Sequence, residues 1–148
     1  MSDEIIHKLI DEAFAARNNA YSPYSHYMVG ASALMGEGNI YRGANIENAS
    51  YPCGICAERN AIFHGAAMGE RVLHAVCIVG GPEGEKLENG NAGYAYPCGV
   101  CRQVMREFSD PENMMIIVAT SKDHYKTFSL AQLLPESFGP EALSSTNK

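Results

Sequence analysis

At 148 residues, 46% hydrophobic and 19% charged, the chain has the length and composition of one ordinary globular unit, which excludes wholesale disorder and predicts a single domain over 1–148. Seventeen acidic against eleven basic side chains leave a formal charge of -6. That is the wrong sign for displacing counterions from a phosphate backbone, so no nucleic-acid partner is expected. The longest apolar run, Met114 to Ala119, is far too short to span a bilayer, and the acidic start Met1-Ser2-Asp3-Glu4 has no basic n-region; no membrane partner and a cytoplasmic location are expected.

In chain order, Ile5, Ile6, Leu9, Ile10, Ala13 and Phe14 recur at spacings of three and four, and Asp3 and Glu4 sit where a first turn favours carboxylates. Ser2 to about Asn19 is therefore predicted as an amphipathic helix. After Ser22-Pro23, alternation from Tyr27 to Met35 predicts a strand, and Gly36-Glu37-Gly38-Asn39 turns it into a second over Ile40 to Ala44. An Ala-rich, proline-free stretch from Cys56 to about Met68 predicts a helix, and Val72 to Val79 a strand. Gly80 to Tyr96, rich in glycine and without apolar periodicity, predicts a long surface loop. A helix over Gly99 to Phe108, a buried strand over Met114 to Ala119, a shorter strand around Tyr125 to Phe128, the segment Leu130 to Leu134 and a frayed polar tail after Pro140 complete the chain. Helices interleaved with short strands predict an α/β fold, a mixed sheet covered by helices.

Four of the five cysteines form two Cys-x-x-Cys pairs, Cys53/Cys56 and Cys98/Cys101, each opening a predicted helix. Unpaired N–H groups and the positive dipole end at such a position stabilise thiolates, the form zinc requires. Two metal sites satisfy the spacing. A closed four-cysteine zinc would be structural; a site using only Cys56, Cys98 and Cys101 leaves an open position for an activated water. Glu58 favours the open site, because an activated water needs a carboxylate that takes and returns protons. On a regular helix residues two apart diverge by about 200°, so Cys56 must lie at the helix mouth if it and Glu58 are to face one site. A third reading is a redox dithiol protein without metal.

Cys56-Ala57-Glu58-Arg59 with Pro97-Cys98-Gly99-x-Cys101-Arg102-Gln103-Val104 resembles the zinc nucleoside deaminases. Tyr24-Ser25, Val29-Gly30-Ala31, Asn45-Ile46-Glu47-Asn48-Ala49 and Leu133-Leu134-Pro135-x-x-Phe138, in the same order, are similar to the small three-cysteine cytidine deaminases. The resemblance covers most of residues 5 to 143. It implies a three-layer cytidine-deaminase-like fold, one zinc per subunit on Cys56, Cys98 and Cys101, and Glu58 as proton shuttle. It also implies hydrolysis of a pyrimidine nucleoside, cytidine or deoxycytidine, at C4 of the base, as in pyrimidine salvage. Asn45 and Glu47 correspond to the pair that holds the ribose; Tyr27 and Phe138 correspond to aromatics that pack around the base, Phe138 from a neighbouring subunit. Ala57 falls among the substrate-binding positions, and Tyr51 at a position of subunit contact, contributed from the partner chain. Arg59, by hydrogen bonds to the thiolates, would withdraw charge from the metal. Members of this pattern are homotetramers with sites at subunit interfaces.

The sequence departs from the pattern in two places. The stretch between Cys56 and Cys98 is longer, with the excess ahead of Pro97, and is expected simply to extend outward. Tyr27 stands where phenylalanine is more usual. Cys77 reads as a buried hydrophobe, Arg102 as a structural cation, and His64 as the one histidine near enough to Glu58 to test as a fourth ligand. Rival readings are a deaminase of another aminopyrimidine nucleoside and a non-catalytic four-cysteine zinc module.

Overall fold

The computed structural model describes residues 1–87 and 93–143. Four helices, α1 (Asp3–Arg17), α2 (Ala57–Ala67), α3 (Gly99–Phe108) and α4 (Leu130–Leu133), accompany five strands: β1 (Tyr27–Met35), β2 (Asn39–Ala44), β3 (Leu73–Pro82), β4 (Met115–Ser121) and β5 (His124–Ser129). They form one sheet in the order β2-β1-β3-β4-β5. Only β3 and β4 run parallel, the connection between them passing through α3; the other neighbours are antiparallel. The fold is the expected α/β arrangement, a mixed sheet between two helical layers.

The period-2 geometry of the central strands makes the layers. Along β3, Ala75, Cys77 and Val79 face α1 and join Ile6, Leu9, Ile10 and Ala13 in one cluster with Ile117 and Ala119 of β4. Val76 and Ile78 face the other way, with Ile116, Val118, Ala31 and Ala33, against Ala57, Ala61 and Ile62 of α2 and Cys101 and Met105 of α3. Ser32, buried in β1, donates to Leu9 O at 2.7 Å, so this polar group is satisfied within the core. Cys77 is a core residue, as read; burial raises its thiol well above the usual range.

The α1 start is fixed by Ser2, which accepts from Ile5 N at 3.3 Å, and by Asp3 and Glu4 in the first turn. Small residues set how closely the helices approach: Gly30 lies under Ala13 and Arg17 of α1, and Gly43 under Ala57 and Ala61 of α2. Arg102 donates to Pro97 O at 2.8 Å and Leu133 O at 2.7 Å, a structural role as expected. Arg106 pairs with Glu141 and donates to Ser137 Oγ at 2.9 Å, holding the segment around Phe138 on α3. The tail after Pro140 begins with an ordered turn, Pro140–Ala142, and its remainder from 144 lies outside the described residues.

One expectation is corrected. Gly80 does not open a loop: β3 continues through Gly80 and Gly81, which pair with Val29 and Met28, to Pro82. Gly80 is there for close approach, since a Cβ on it would lie 2.8 Å from Ala95 Cβ. The segment that follows is not wholly on the surface either. Leu87 is buried in the α1-side cluster, and Tyr94 and Ala95 pack against the opposite one. Residues 88–92 of the predicted loop lie outside the described residues.

Candidate active site

Two helix N-termini converge. Cys56 is the N-cap of α2, with extended backbone (φ -75, ψ 154), and Cys98 the N-cap of α3 (φ -71, ψ 168). Lying before the first helical turn, Cys56 is free of the helical wheel that would separate it from Glu58, as the spacing required. Cys98 Sγ is 3.9 Å from Cys56 Sγ and 3.5 Å from Cys101 Sγ, and all three sulfurs fall within 4.8 Å of one another. Thiolates about 2.3 Å from a tetrahedral zinc are separated by roughly 3.8 Å, so the donor set fits zinc with one position left for a non-protein ligand.

The cluster's charge argues the same way. Cys56 is pulled down to about 5, chiefly by a hydrogen bond from Cys101 and further by Arg59, against the cost of burial. Cys101 is raised, by that same shared proton and by burial. Three thiols in contact cannot all ionise beside one another; a divalent cation allows it. Arg59 Nη2 lies 3.5 Å from Cys56 Sγ, as expected of a residue that withdraws charge from the thiolates. Its Nε is buried with no hydrogen-bond partner among the described residues.

Glu58, in the first turn of α2, is only 5% exposed. Burial pushes its carboxyl up to about 7, with the Cys56 charge adding and its backbone N–H opposing. A carboxyl poised near neutrality can both take and give a proton.

Cys56 and Cys98 open onto a cavity of about 730 Å³. Tyr27, Asn45, Glu47, Tyr51, Cys56, Ala57, Glu58, Arg59 and Cys98 all line it; Cys101 is buried behind. In the same cavity Glu47 is held as an anion: Oε1 accepts from Tyr24 N (3.0 Å) and Ser25 N (3.1 Å), and Oε2 from Ser25 Oγ. These bonds, the Ser25 hydroxyl first, keep its carboxyl below the usual range. They occupy three of about four acceptor sites, leaving one for a ligand hydroxyl. Asn45 bridges strands: its Oδ1 accepts from Val29 N at 2.9 Å and its Nδ2 donates to Tyr27 O at 2.8 Å. One N–H and one lone pair remain free for a ligand.

Phe138 stands apart from this cavity, 59% exposed, its backbone carbonyl held by Gln103 Nε2 at 2.9 Å. Tyr51, expected from a partner chain, lies at the rim of its own chain's cavity, 76% exposed and 6.0 Å from the Tyr24 ring. Cys53 is exposed in the turn Tyr51–Cys53 and is not a member of the thiol cluster, which removes the closed four-cysteine arrangement. His64 sits in the last turn of α2, its Nδ1 3.2 Å from Arg42 O, and does not line the cavity.

Sequence reasoning missed two sets of residues. Tyr24 and Ser25, whose part nothing in the local pattern signals, hold Glu47. Tyr94, Ala95 and Tyr96, at the end of the predicted loop, also line the cavity. Two aromatics in a polar, glycine-rich stretch, just ahead of Pro97-Cys98, were the available signal.

The sequence profile described as "Cytidine and deoxycytidylate deaminase zinc-binding region" matches residues 3–118. The chain is 40% identical over 139 residues to a cytidine deaminase of Sporosarcina psychrophila, covering 94% of this chain and 95% of that one. It is 38% identical over 136 residues to a cytidine deaminase of Halalkalibacterium halodurans, covering 92% and 96%. Among solved structures, the cytidine deaminase of Burkholderia pseudomallei superposes with a TM-score of 0.77 at 38% identity, over 89% of this chain and 98% of that one. The Mycobacterium tuberculosis enzyme gives 0.72 at 32%, over 89% and 95%. With the thiol triad, the buried glutamate and these likenesses together, the chain belongs to the cytidine deaminase family of zinc hydrolases.

Proposed function

We propose that the protein, working as a single domain per subunit, hydrolyses cytidine and deoxycytidine to uridine and deoxyuridine with release of ammonia, a step of pyrimidine salvage. The observation that carries this reading is Glu58, buried beside three thiols in a cavity that Asn45 and Glu47 also line. Cys56, Cys98 and Cys101 would hold the zinc, which supplies Lewis-acid activation of a water. Glu58 takes one proton of the attacking water and gives it to N3 of the base, then takes the remaining proton of the oxygen added at C4 and delivers it to the amine as the C4–N bond breaks. Its burial keeps bulk water from competing for those protons and raises its carboxyl, which favours handing a proton on.

Asn45 and Glu47 orient the nucleoside through its ribose hydroxyls, using the acceptor and donor capacity left free above. An anionic Glu47 disfavours a phosphate close to the sugar, which selects nucleosides over nucleotides. Ala57, next to Glu58, and Tyr27 contact the base, and Arg59 moderates the thiolates' charge. We further infer a cytoplasmic homotetramer, in which Phe138 enters a neighbouring subunit's cavity and Tyr51 lies at the subunit contact. The exposure of both rings in the isolated chain supports that reading.

Absorbance-monitored turnover by the zinc-loaded protein tests it. Cytidine and deoxycytidine should be converted and cytidine 5′-monophosphate should not; light scattering should give four subunits. Conversion of the nucleotide but not the nucleosides would contradict the proposed use of Glu47, and a monomer with full activity would contradict the role given to Phe138.

A further inference from the structure

Residues 93–97, the arm that leads into Cys98, form one wall of the cavity. Tyr94, Ala95 and Tyr96 line it, and Gly80 lets the arm descend onto the sheet, since any side chain there would meet Ala95, Tyr27 and Val29. From outside, β5 clamps the two tyrosines. Lys126 Nζ stands 4.7 Å from the centre of the Tyr94 ring and 3.4 Å from Tyr96 Oη. Phe128 meets Tyr96 edge to face, with centroids 6.2 Å apart. An exposed lysine spanning two rings that also face a cavity holds them in a defined place, where a single exposed tyrosine would sample several rotamers.

The wall runs in sequence straight into Cys98, the N-cap thiol of α3, whereas Glu47 is held by Tyr24 and Ser25 and Asn45 by Tyr27 and Val29. On the function proposed above, on which this inference rests, C4 of the base lies beside the thiols with N3 turned to Glu58 on α2. C4 is flanked in the ring by N3 and C5, so C5 turns from Glu58 to the rest of the cavity lining, of which Tyr94 and Tyr96 are the part that leads into Cys98. We propose that Tyr94 and Tyr96, held by Lys126, form a specificity wall that reads the bulk carried on C5 of the pyrimidine. Such a wall discriminates by size: one methyl pressed against fixed rings is worth about tenfold or more in kcat/KM. It is indifferent to the sugar.

The zinc-loaded wild type, Lys126→Met, Lys126→Arg and Tyr96→Ser are assayed on cytidine, deoxycytidine and 5-methylcytidine. Lys126→Met and Tyr96→Ser should raise kcat/KM for 5-methylcytidine relative to cytidine by about tenfold. Lys126→Arg, which keeps a cation over the ring, should match wild type. The cytidine to deoxycytidine ratio should stay within about twofold in every variant, a behaviour that general loosening of the fold does not produce. A 5-methyl ratio unmoved in both Lys126→Met and Tyr96→Ser overturns the proposal, as does one that moves together with the sugar ratio. Failure of the underlying function is told apart by the wild type, which would then convert no cytidine.

Discussion

Gly43→Ala isolates how the sheet positions the catalytic helix. Gly43 lies in β2 opposite Ala31, on the face that carries α2. A Cβ there would stand 2.5 Å from Ala57 O and 2.8 Å from Ala61 Cα, and closer still to Ala61 N. Ordinary contact between such atoms needs roughly 3.5 Å, so the N-terminal half of α2 must retreat by about 1 Å. The atoms met are backbone, which cannot turn aside as a side chain does. Ala57 stands between Cys56 and Glu58, so the retreat moves the proposed metal ligand and the proposed proton shuttle together. Overpacking of this kind costs about 1–3 kcal/mol of stability, and a 1 Å misplacement of reacting groups can cost about 100-fold in rate. Gly30→Ala is the matched control: its Cβ would come within 2.8 Å of Arg17 Cα, displacing α1 on the opposite face. Thermal unfolding and kcat of the zinc-loaded proteins should therefore separate. Both variants lose stability, and Gly43→Ala alone loses about two orders of magnitude in kcat. Equal kcat losses in the two variants, or an unaltered kcat in Gly43→Ala, would refute this account of how α2 is positioned.

Two further outcomes are expected. Ser25→Ala removes the hydroxyl that contributes most to keeping the Glu47 carboxyl low, so that carboxyl moves up toward its usual range; KM for cytidine should rise about tenfold with kcat little changed. A group with a depressed value stays ionised further into acid, so the rise of KM on acidification should begin at a higher pH in the variant than in wild type; coincident KM–pH profiles would sink this assignment. Thiol titration should show Cys56 and Cys98 becoming reactive when a chelator removes the metal, whereas Cys77, buried between the sheet and α1, reacts only in denaturant. Reaction of Cys77 in the native protein, or no gain on chelation, would contradict the assignment.

Much of this was legible in the sequence, for identifiable reasons. The α1 stripe from Ile6 to Ala13 and the alternation of β1 are periodic over enough residues to fix both the element and its buried face. The thiol site was legible because Cys98 and Cys101 lie an N-cap and a first turn apart, a spacing local geometry brings together unaided. What failed was non-local. Gly80 and Gly81 read as a break because glycine in isolation signals a turn; the purpose of Gly80, making room for Ala95, depends on a segment fifteen residues on that returns over the sheet. The wall of Tyr94 and Tyr96 likewise depends on Lys126 and Phe128 of an edge strand, a pairing no periodicity reports. Ser25 was visible as a residue, but its hydrogen bond to Glu47 exists only once the loop before β1 meets the one after β2.

The central claim is an open three-thiol zinc site with Glu58 as its proton carrier. Its most direct test is cytidine turnover by zinc-loaded wild type, Glu58→Gln and Cys53→Ser, each with its metal content measured. Glu58→Gln should keep its zinc and lose about 100- to 10,000-fold in kcat, while Cys53→Ser keeps both zinc and activity. Zinc lost from Cys53→Ser, or turnover retained by Glu58→Gln, would contradict the account.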